Sequence, residues 1–145
     1  MDLDVLNRKL QSLDLESVQQ IEIEEYDRRQ VVTSIQRQLE AGTRGDGEPM
    51  KPYADVTVRI KRQTGGYISP SGRIALKDQG DFYAGMVATP RRGYLETGST
   101  DRKAAELVGR YGTAVLALTE ENHVQIHNDA RPRIVDRVER QLGLK

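Results

Sequence analysis

The spacing of apolar residues predicts helices in the N-terminal third of the chain. Leu6, Leu10 and Leu13 recur at intervals of four and three residues, which places them on one face of a helix. Asp2 or Asp4 stands where the N-cap of that helix belongs, because a short carboxylate can accept the free backbone N–H groups of the first turn. We therefore predict a first short helix here.

A longer helical pattern follows, and Asp14 is a possible N-cap for the part nearest to it. Residues 21–24 alternate like a strand, but their neighbours favour helix, so we predict helix there as well. From about residue 24 to the stop at Gly42, one side is apolar and consists of Val31, Val32, Ile35 and Leu39. The polar side is predicted to carry Arg28, Arg29, Gln36, Gln38 and Glu40. Together these patterns predict N-terminal helices over about residues 2–41.

Residues 42–55 form a glycine-rich stretch that we predict to be a loop. A phosphate-binding loop is the functional alternative for three glycines so close together. The phosphate-binding motif follows a strand and ends in Gly-Lys-Ser or Gly-Lys-Thr. This stretch follows a helix, and its glycine-rich part ends in Pro49 and Met50. An ordinary surface loop is therefore the preferred interpretation.

The middle of the chain, about residues 56–99, is predicted to be rich in β-structure. Val56, Val58 and Ile60 alternate with polar residues, which favours a strand, with a short helix as the alternative. Residues 82–88 have strand character, residues 89–93 contain the Pro and Gly of a turn, and residues 94–99 fit a returning strand. These three segments predict a β-hairpin.

The C-terminal third is predicted to be helical again. A short helix over about residues 101–111 ends at Gly112, and a short apolar run over residues 114–118 suits a buried turn or strand. Thr119 can cap a last helix over about residues 120–142, which Pro132 would kink or restart. The residues expected to face the core from this helix are Ile134, Val135, Val138 and Leu142.

These elements predict a single α+β domain over residues 1–145. In it, a small antiparallel β-sheet is packed by the N-terminal helices, a short middle helix and a C-terminal amphipathic helix.

Composition narrows the classes of function. Lys and Arg together number 22, as do Asp and Glu, so the net charge does not favour nucleic acid or an acidic partner. The chain has no Cys, which excludes disulfides, thiolate metal sites and a cysteine nucleophile. No apolar run approaches the length of a membrane span, and the acidic start does not resemble a secretory signal. We expect a soluble protein made in a cytoplasm, without membrane contact.

Candidate catalytic residues occur at three places, and the sequence supports a catalytic role at none of them. His123 and His127, with Glu120 one turn earlier, have the spacing of metal ligands on a helix. The glutamate of a His-Glu-x-x-His motif is missing, so two exposed helix histidines are the preferred interpretation. No serine lies in a Gly-x-Ser-x-Gly turn, and the two carboxylates near residue 80 fit an ordinary turn. The serines and carboxylates concerned are Ser69, Ser71, Ser99, Asp78 and Asp81. The sequence therefore predicts no catalytic, cofactor or metal site. A small metal-dependent hydrolase remains the third alternative for the function.

Several short motifs follow one another along the chain in a defined order. After the amphipathic helices and the glycine-rich loop come Pro52-Tyr53, a basic stretch with Lys61, and a Leu-x-x-x-Gly-Asp-Phe-Tyr motif at residues 76–83. A Gly-Ser/Thr-x-Lys-Ala type of turn (residues 98–104), Tyr111-Gly112 and a Leu-x-Leu-Thr run (residues 116–119) then lead into the closing helix. This order resembles a family of structural proteins from tailed bacteriophages, the virion morphogenesis, tail completion or minor tail proteins. Gln79 and Met50 depart from the commoner family residues, Thr and an aromatic.

The resemblance implies a non-enzymatic subunit that forms a homo-oligomeric ring at the tail or head–tail joint of a virion, next to other tail, neck or portal-adjacent proteins and in passing contact with DNA. It implies no cofactor. We expect the contacts between subunits to involve the basic loop and the hairpin tip, at Arg62, Tyr67, Arg73, Arg91 and Arg92. The main alternative is a nucleic-acid-binding accessory protein that uses Arg59, Lys61, Arg62, Arg73, Arg91 and Arg92, although the neutral net charge argues against it.

Overall fold

The structure, a computed structural model, describes residues 2–22 and 28–145. Within these ranges, seven α-helices accompany one two-stranded antiparallel sheet, which confirms the predicted α+β class. The helices are α1 (Leu3–Ser12), α2 (Leu15–Glu22), α3 (Arg28–Glu40), α4 (Asp55–Thr64), α5 (Asp81–Ala84), α6 (Ala104–Tyr111) and α7 (Glu120–Leu142). The strands are β1 (Met86–Arg91) and β2 (Tyr94–Ser99), and a 3₁₀ helix spans Thr113–Leu116.

The core forms where α3 packs on the hairpin. Val31, Ile35 and Leu39 lie one turn apart on α3, and all three are buried together with Met86 and Ala88 of β1. The strands pair in register from Met86 opposite Ser99 to Arg91 opposite Tyr94. Partly buried residues of α6 and the 3₁₀ helix pack against the same core.

The N-terminal helices are held against α7 by a buried carboxylate. Glu22, at the end of α2, accepts hydrogen bonds from Arg133 at 3.3 Å and from Arg137 at 2.6 Å. A buried charge needs such partners, because its hydration is lost on folding. Glu22 thus fixes where α2 lies along α7.

Several predicted caps and helix ends are present. The Asp2 side chain accepts the backbone N–H of Asp4, Asp14 accepts that of Ser17, and Thr119 accepts that of Asn122. The segment over residues 15–22 is helical, as predicted, whereas the predicted start of the next helix near residue 24 lies outside the described residues. The described part of that helix begins at Arg28.

The strand predicted at Val56–Ile60 is wrong, because this segment is part of helix α4. Val56 and Ile60 are four residues apart, so the same residues that alternate as in a strand also share one face of a helix. Gly65 decides between the two, since its left-handed φ of 70° supplies the C-cap of a helix. The predicted β-rich middle therefore contains a helix at its start.

The first strand of the hairpin begins and ends later than predicted, whereas the second spans Tyr94–Ser99 as predicted. Gly80, with φ of 87°, starts the helical turn α5, in which the Ala84 N–H donates to the Gly80 carbonyl at 2.8 Å. Residues 82–84 are therefore helical, and the strand begins at Met86. It continues through Pro90 to Arg91, so only Arg92 and Gly93 remain for the turn.

Four further expectations are corrected in the helices and their connections. Gln38, predicted on the polar side of α3, is buried. Helix α7 continues through Pro132 without a restart, and its Val135 is exposed instead of facing the core. The run over residues 114–118 is neither a plain turn nor a strand, because most of it belongs to the 3₁₀ helix.

Candidate assembly surface

Helix α4 is attached to the rest of the chain along one side only. The Lys61 ammonium lies 3.2 Å from the Asp78 carboxylate and 5.7 Å from the centre of the Tyr53 ring. The Lys61 stem also packs against Gly66, whose N–H donates to the Lys61 carbonyl at 2.8 Å. Lys61 therefore acts as the tether of this helix.

The other side of α4 is open to solvent. None of its ten residues is buried. Val56 is 61% exposed and Ile60 53% exposed, although both are β-branched apolar residues that normally pack against something. Arg59 and Arg62 are exposed beside them. We call Val56, Arg59, Ile60 and Arg62 the α4 surface.

A cleft of about 560 Å³ lies between the tethered side of α4 and helix α6. Its apolar lining includes Leu76, Phe82, Leu107 and Tyr111. Leu76 has a φ of 57°, a left-handed conformation that a leucine adopts only when its surroundings hold it there. The cleft is thus lined in part by the motif at residues 76–83.

That motif is a packing element. The buried Tyr83 hydroxyl donates to the Ala75 carbonyl at 2.6 Å, and burial raises the pKa of the Tyr83 phenol above its usual range. The Phe82 carbonyl accepts from the Ser99 hydroxyl at 2.9 Å, and the Tyr83 carbonyl accepts from Gln36 at 3.0 Å. These bonds join α5 to the hairpin and to α3.

Tyr67, a predicted interface residue, belongs to a charged cluster beside this motif. The Lys77 ammonium lies 4.9 Å from the centre of the Tyr67 ring and 2.9 Å from the Glu40 carboxylate. The hydrogen bond to Glu40 raises the pKa of Lys77. Partial burial, followed by the nearby Glu40 charge, raises the pKa of Tyr67. The structure thus places Tyr67 in contacts within its own chain.

Arg73 is also used inside the chain. Its guanidinium donates to the Met50 carbonyl at 2.6 Å, and Pro52 and Arg73 form a β-bridge. The glycine-rich loop is anchored as well, because the Gly45 N–H donates to the Ala114 carbonyl at 2.8 Å. Both contacts fix the connection between α3 and α4 to the body of the protein.

The two arginines at the hairpin tip form ion pairs with neighbouring carboxylates. Arg91 lies 3.1 Å from Glu96, and Arg92 pairs with Asp14 and, at 3.3 Å, with Glu16. The hydrogen bond from Arg92, helped by those from Ser17, lowers the pKa of Asp14 to about 2. The tip is therefore docked on the start of α2. Of the five predicted interface residues, only Arg62 belongs to the open α4 surface.

The two histidines lie on the exposed side of α7. The rings of His123 and His127 are stacked, with centres 6.5 Å apart. Among residues 2–22 and 28–145, no group of three or more His, Cys, Asp or Glu side chains is arranged to hold a metal ion. No helix in the same ranges combines the length and apolar character needed to cross a membrane.

Comparison of the chain with protein-family models, with curated proteins and with solved structures found no match. The resemblance to phage proteins therefore depends on the motifs alone.

Two features were missed in the sequence although a signal for each is present. Gln38 follows Val31 and Ile35 by seven and three residues, a spacing that places it on the buried stripe of α3. The α4 surface was missed because a strand was preferred to a short helix for the segment from Val56 to Ile60. Their spacing of four residues, followed by Gly65-Gly66, is the signal that favours a helix.

Proposed function

We propose that this chain is a structural subunit of a tailed-bacteriophage virion, of the tail-completion or head–tail-joining type, and that identical copies assemble into a ring. The observation that carries the proposal is the α4 surface, where Val56 and Ile60 remain more than half exposed on a helix with no buried residue. The free energy of the system falls when a protein partner covers apolar side chains in such a position. An assembly subunit needs a surface of this kind.

The motifs behind the resemblance support the same proposal in a second way. Phe82 and Tyr83 are buried in the core, and Gly80 has the positive φ that starts α5. Residues with these roles specify a fold, and they supply no reactive group. We therefore propose a role that depends on shape and contact, without catalysis or a cofactor.

The nucleic-acid-binding alternative has less support from the structure than from the sequence. Of its six basic residues, Lys61, Arg91 and Arg92 are paired with carboxylates, and Arg73 is bonded to a backbone carbonyl. Within residues 2–22 and 28–145, Arg59 and Arg62 are the two of these six that are exposed without an ion pair or a bond to a carbonyl. Two such contacts give weak binding with a shallow salt dependence, because the salt dependence grows with the number of phosphates neutralised.

The proposal is tested first by the mass of the purified protein in solution, measured by light scattering over a range of concentrations. We expect a discrete multiple of the 16.3 kDa chain mass, and ring-shaped particles in electron micrographs. An antibody against the protein should also label the tail or the head–tail joint of phage particles produced by the source strain. Absence of the protein from purified particles would overturn the virion assignment.

A further inference from the structure

Helix α1 resembles α4 in leaving its apolar side chains uncovered. None of its ten residues is buried. Leu3 is 78% exposed and Leu10 is 49% exposed, while Leu6, on the side between them, is half-buried. In the described chain, α1 packs mainly on α7. Its outer leucines therefore form a second apolar surface, the α1 surface, consisting of Leu3, Leu6 and Leu10.

The two surfaces are complementary in shape. Each belongs to a helix of ten residues. On α1 the leucines are spaced by three and four residues, and on α4 the two apolar residues are spaced by four. Side chains with these spacings interdigitate when two helices pack along each other, so that Val56 and Ile60 fit between successive leucines.

The charges along the two helices are complementary in one orientation. Asp2 and Asp4 lie at the start of α1, and neither carboxylate is in an ion pair with residues 2–22 or 28–145. Arg59 lies in the middle of α4 and Arg62 in its second half, and both are likewise without an ion pair in those ranges. An antiparallel arrangement brings the acidic start of α1 next to the basic half of α4.

The opposite ends agree with this orientation. It places Lys9, near the end of α1, beside Asp55 at the start of α4. It also aligns the two helix dipoles in opposite directions, which is the favourable arrangement for neighbouring helices.

We propose that α1 of one copy packs antiparallel along α4 of the next copy, with Leu3 near Ile60 and Leu10 near Val56. This inference rests on the proposed function, because it names the contact by which identical copies associate. The two surfaces are different parts of the chain, so the contact is heterologous and leaves one free surface at each end of a dimer. Repetition of such a contact closes a ring when the rotation between copies allows it.

Cysteine cross-linking tests this contact directly, because the chain contains no cysteine of its own. One variant carries Leu3→Cys and a second carries Ile60→Cys, and the two are mixed and treated with a short bifunctional maleimide. We expect a covalent dimer that contains one chain of each variant. The matched control replaces the second variant by Val124→Cys, whose parent side chain is 46% exposed on α7 and belongs to neither surface. The control mixture should yield only background dimer.

A second measurement compares self-association of Ile60→Asp and Val124→Asp by light scattering. Both changes place a carboxylate at an exposed helical position, so both variants should fold, as circular dichroism would verify. Ile60→Asp should weaken association by about tenfold or more, since it removes the apolar surface of Ile60 that the neighbouring copy would cover. Val124→Asp should associate like the unchanged protein.

The outcomes separate the contact from the proposed function. Oligomers that persist in Ile60→Asp, without preferential cross-linking of Leu3→Cys to Ile60→Cys, would overturn the contact and leave a ring built through another surface. A protein that stays monomeric at every concentration, with no cross-link above the control, would overturn the contact, and the presence of the protein in virions would then decide the function. Preferential cross-linking together with weakened Ile60→Asp association supports the contact.

Discussion

Replacing Gln38 by leucine tests how strongly the fold depends on one buried amide. The Gln38 Nε2 group donates to the Ala117 carbonyl at 2.9 Å. Its Oε1 atom accepts from the Thr119 N–H at 2.9 Å and from Asn122 Nδ2 at 2.6 Å. These bonds connect α3 to the segment that leads into α7.

The expected magnitude follows from the number of bonds and from their exposure. Leucine has a similar volume and a good helix propensity, so the change removes three hydrogen bonds without opening a large cavity. Thr119 and Asn122 are half-buried, and water can therefore replace part of what they lose. At about 1 kcal/mol per bond, the free energy of unfolding should fall by about 3 kcal/mol, and Tm by about 10 °C.

Urea denaturation followed by circular dichroism measures this loss. The control is Gln125→Leu, the same change at an exposed position of α7, which should shift stability by less than about 0.5 kcal/mol. A double-mutant cycle with Asn122→Ala should show coupling, because the two changes remove the same bond. If Gln38→Leu loses no more stability than Gln125→Leu, the reasoning about the buried amide is wrong.

Two further predictions concern backbone strain and acid titration. In urea melts, Gly42→Ala should destabilise the protein by about 1 kcal/mol or more beyond Gly47→Ala. Both glycines have φ of 82°, but only a Cβ at Gly42 would lie 2.7 Å from the Arg73 side chain. Equal losses of stability in the two variants would exclude crowding as the cause. The Asp14 carboxyl should titrate near pH 2 by carbon NMR and move toward 3.8 in Arg92→Ala. Because the folded pKa is depressed, the stability from this pair is present above the unfolded pKa and is lost as the pH falls toward 2; an unchanged Asp14 pKa in Arg92→Ala would refute this origin.

Much of the fold could be predicted from the sequence because its helix boundaries are marked by local chemistry. Asp2, Asp14 and Thr119 cap the helices that follow them, and Gly112 and Gly143 end helices at the expected places. Local capping depends only on residues close together in the chain, so it can be read without knowing the tertiary structure.

The errors arose where two periodicities fit the same residues or where the partner is distant in sequence. Val56, Val58 and Ile60 satisfy both a strand and a helix pattern. The sequence alone does not show which contacts with the rest of the chain decide between strand and helix. The contacts of Arg92 with Asp14, and of Gln38 with Asn122, span more than seventy residues. A sequence shows that such side chains are available for pairing, but the fold determines which ones meet.

Helix α4 connects the stability of the single chain with the proposed assembly. Ten residues are too few for a stable isolated helix in water, and α4 gains mainly the Lys61 tether and the Gly65 cap from its own chain. Its backbone amides should therefore exchange with deuterium much faster than those of α3, which is buried along Val31, Ile35 and Leu39. When a neighbouring copy covers Val56 and Ile60, this exchange should slow.

Hydrogen exchange at low and high protein concentration measures the effect, with α3 as the internal reference. Protection that rises with concentration in α1 and α4, while α3 stays unchanged, is the expected result, because only these two helices gain packing in the proposed contact. Protection of α4 equal to that of α3 in the dilute protein would show that the helix is stable without a partner. The exposure of Val56 and Ile60 would then no longer argue for assembly.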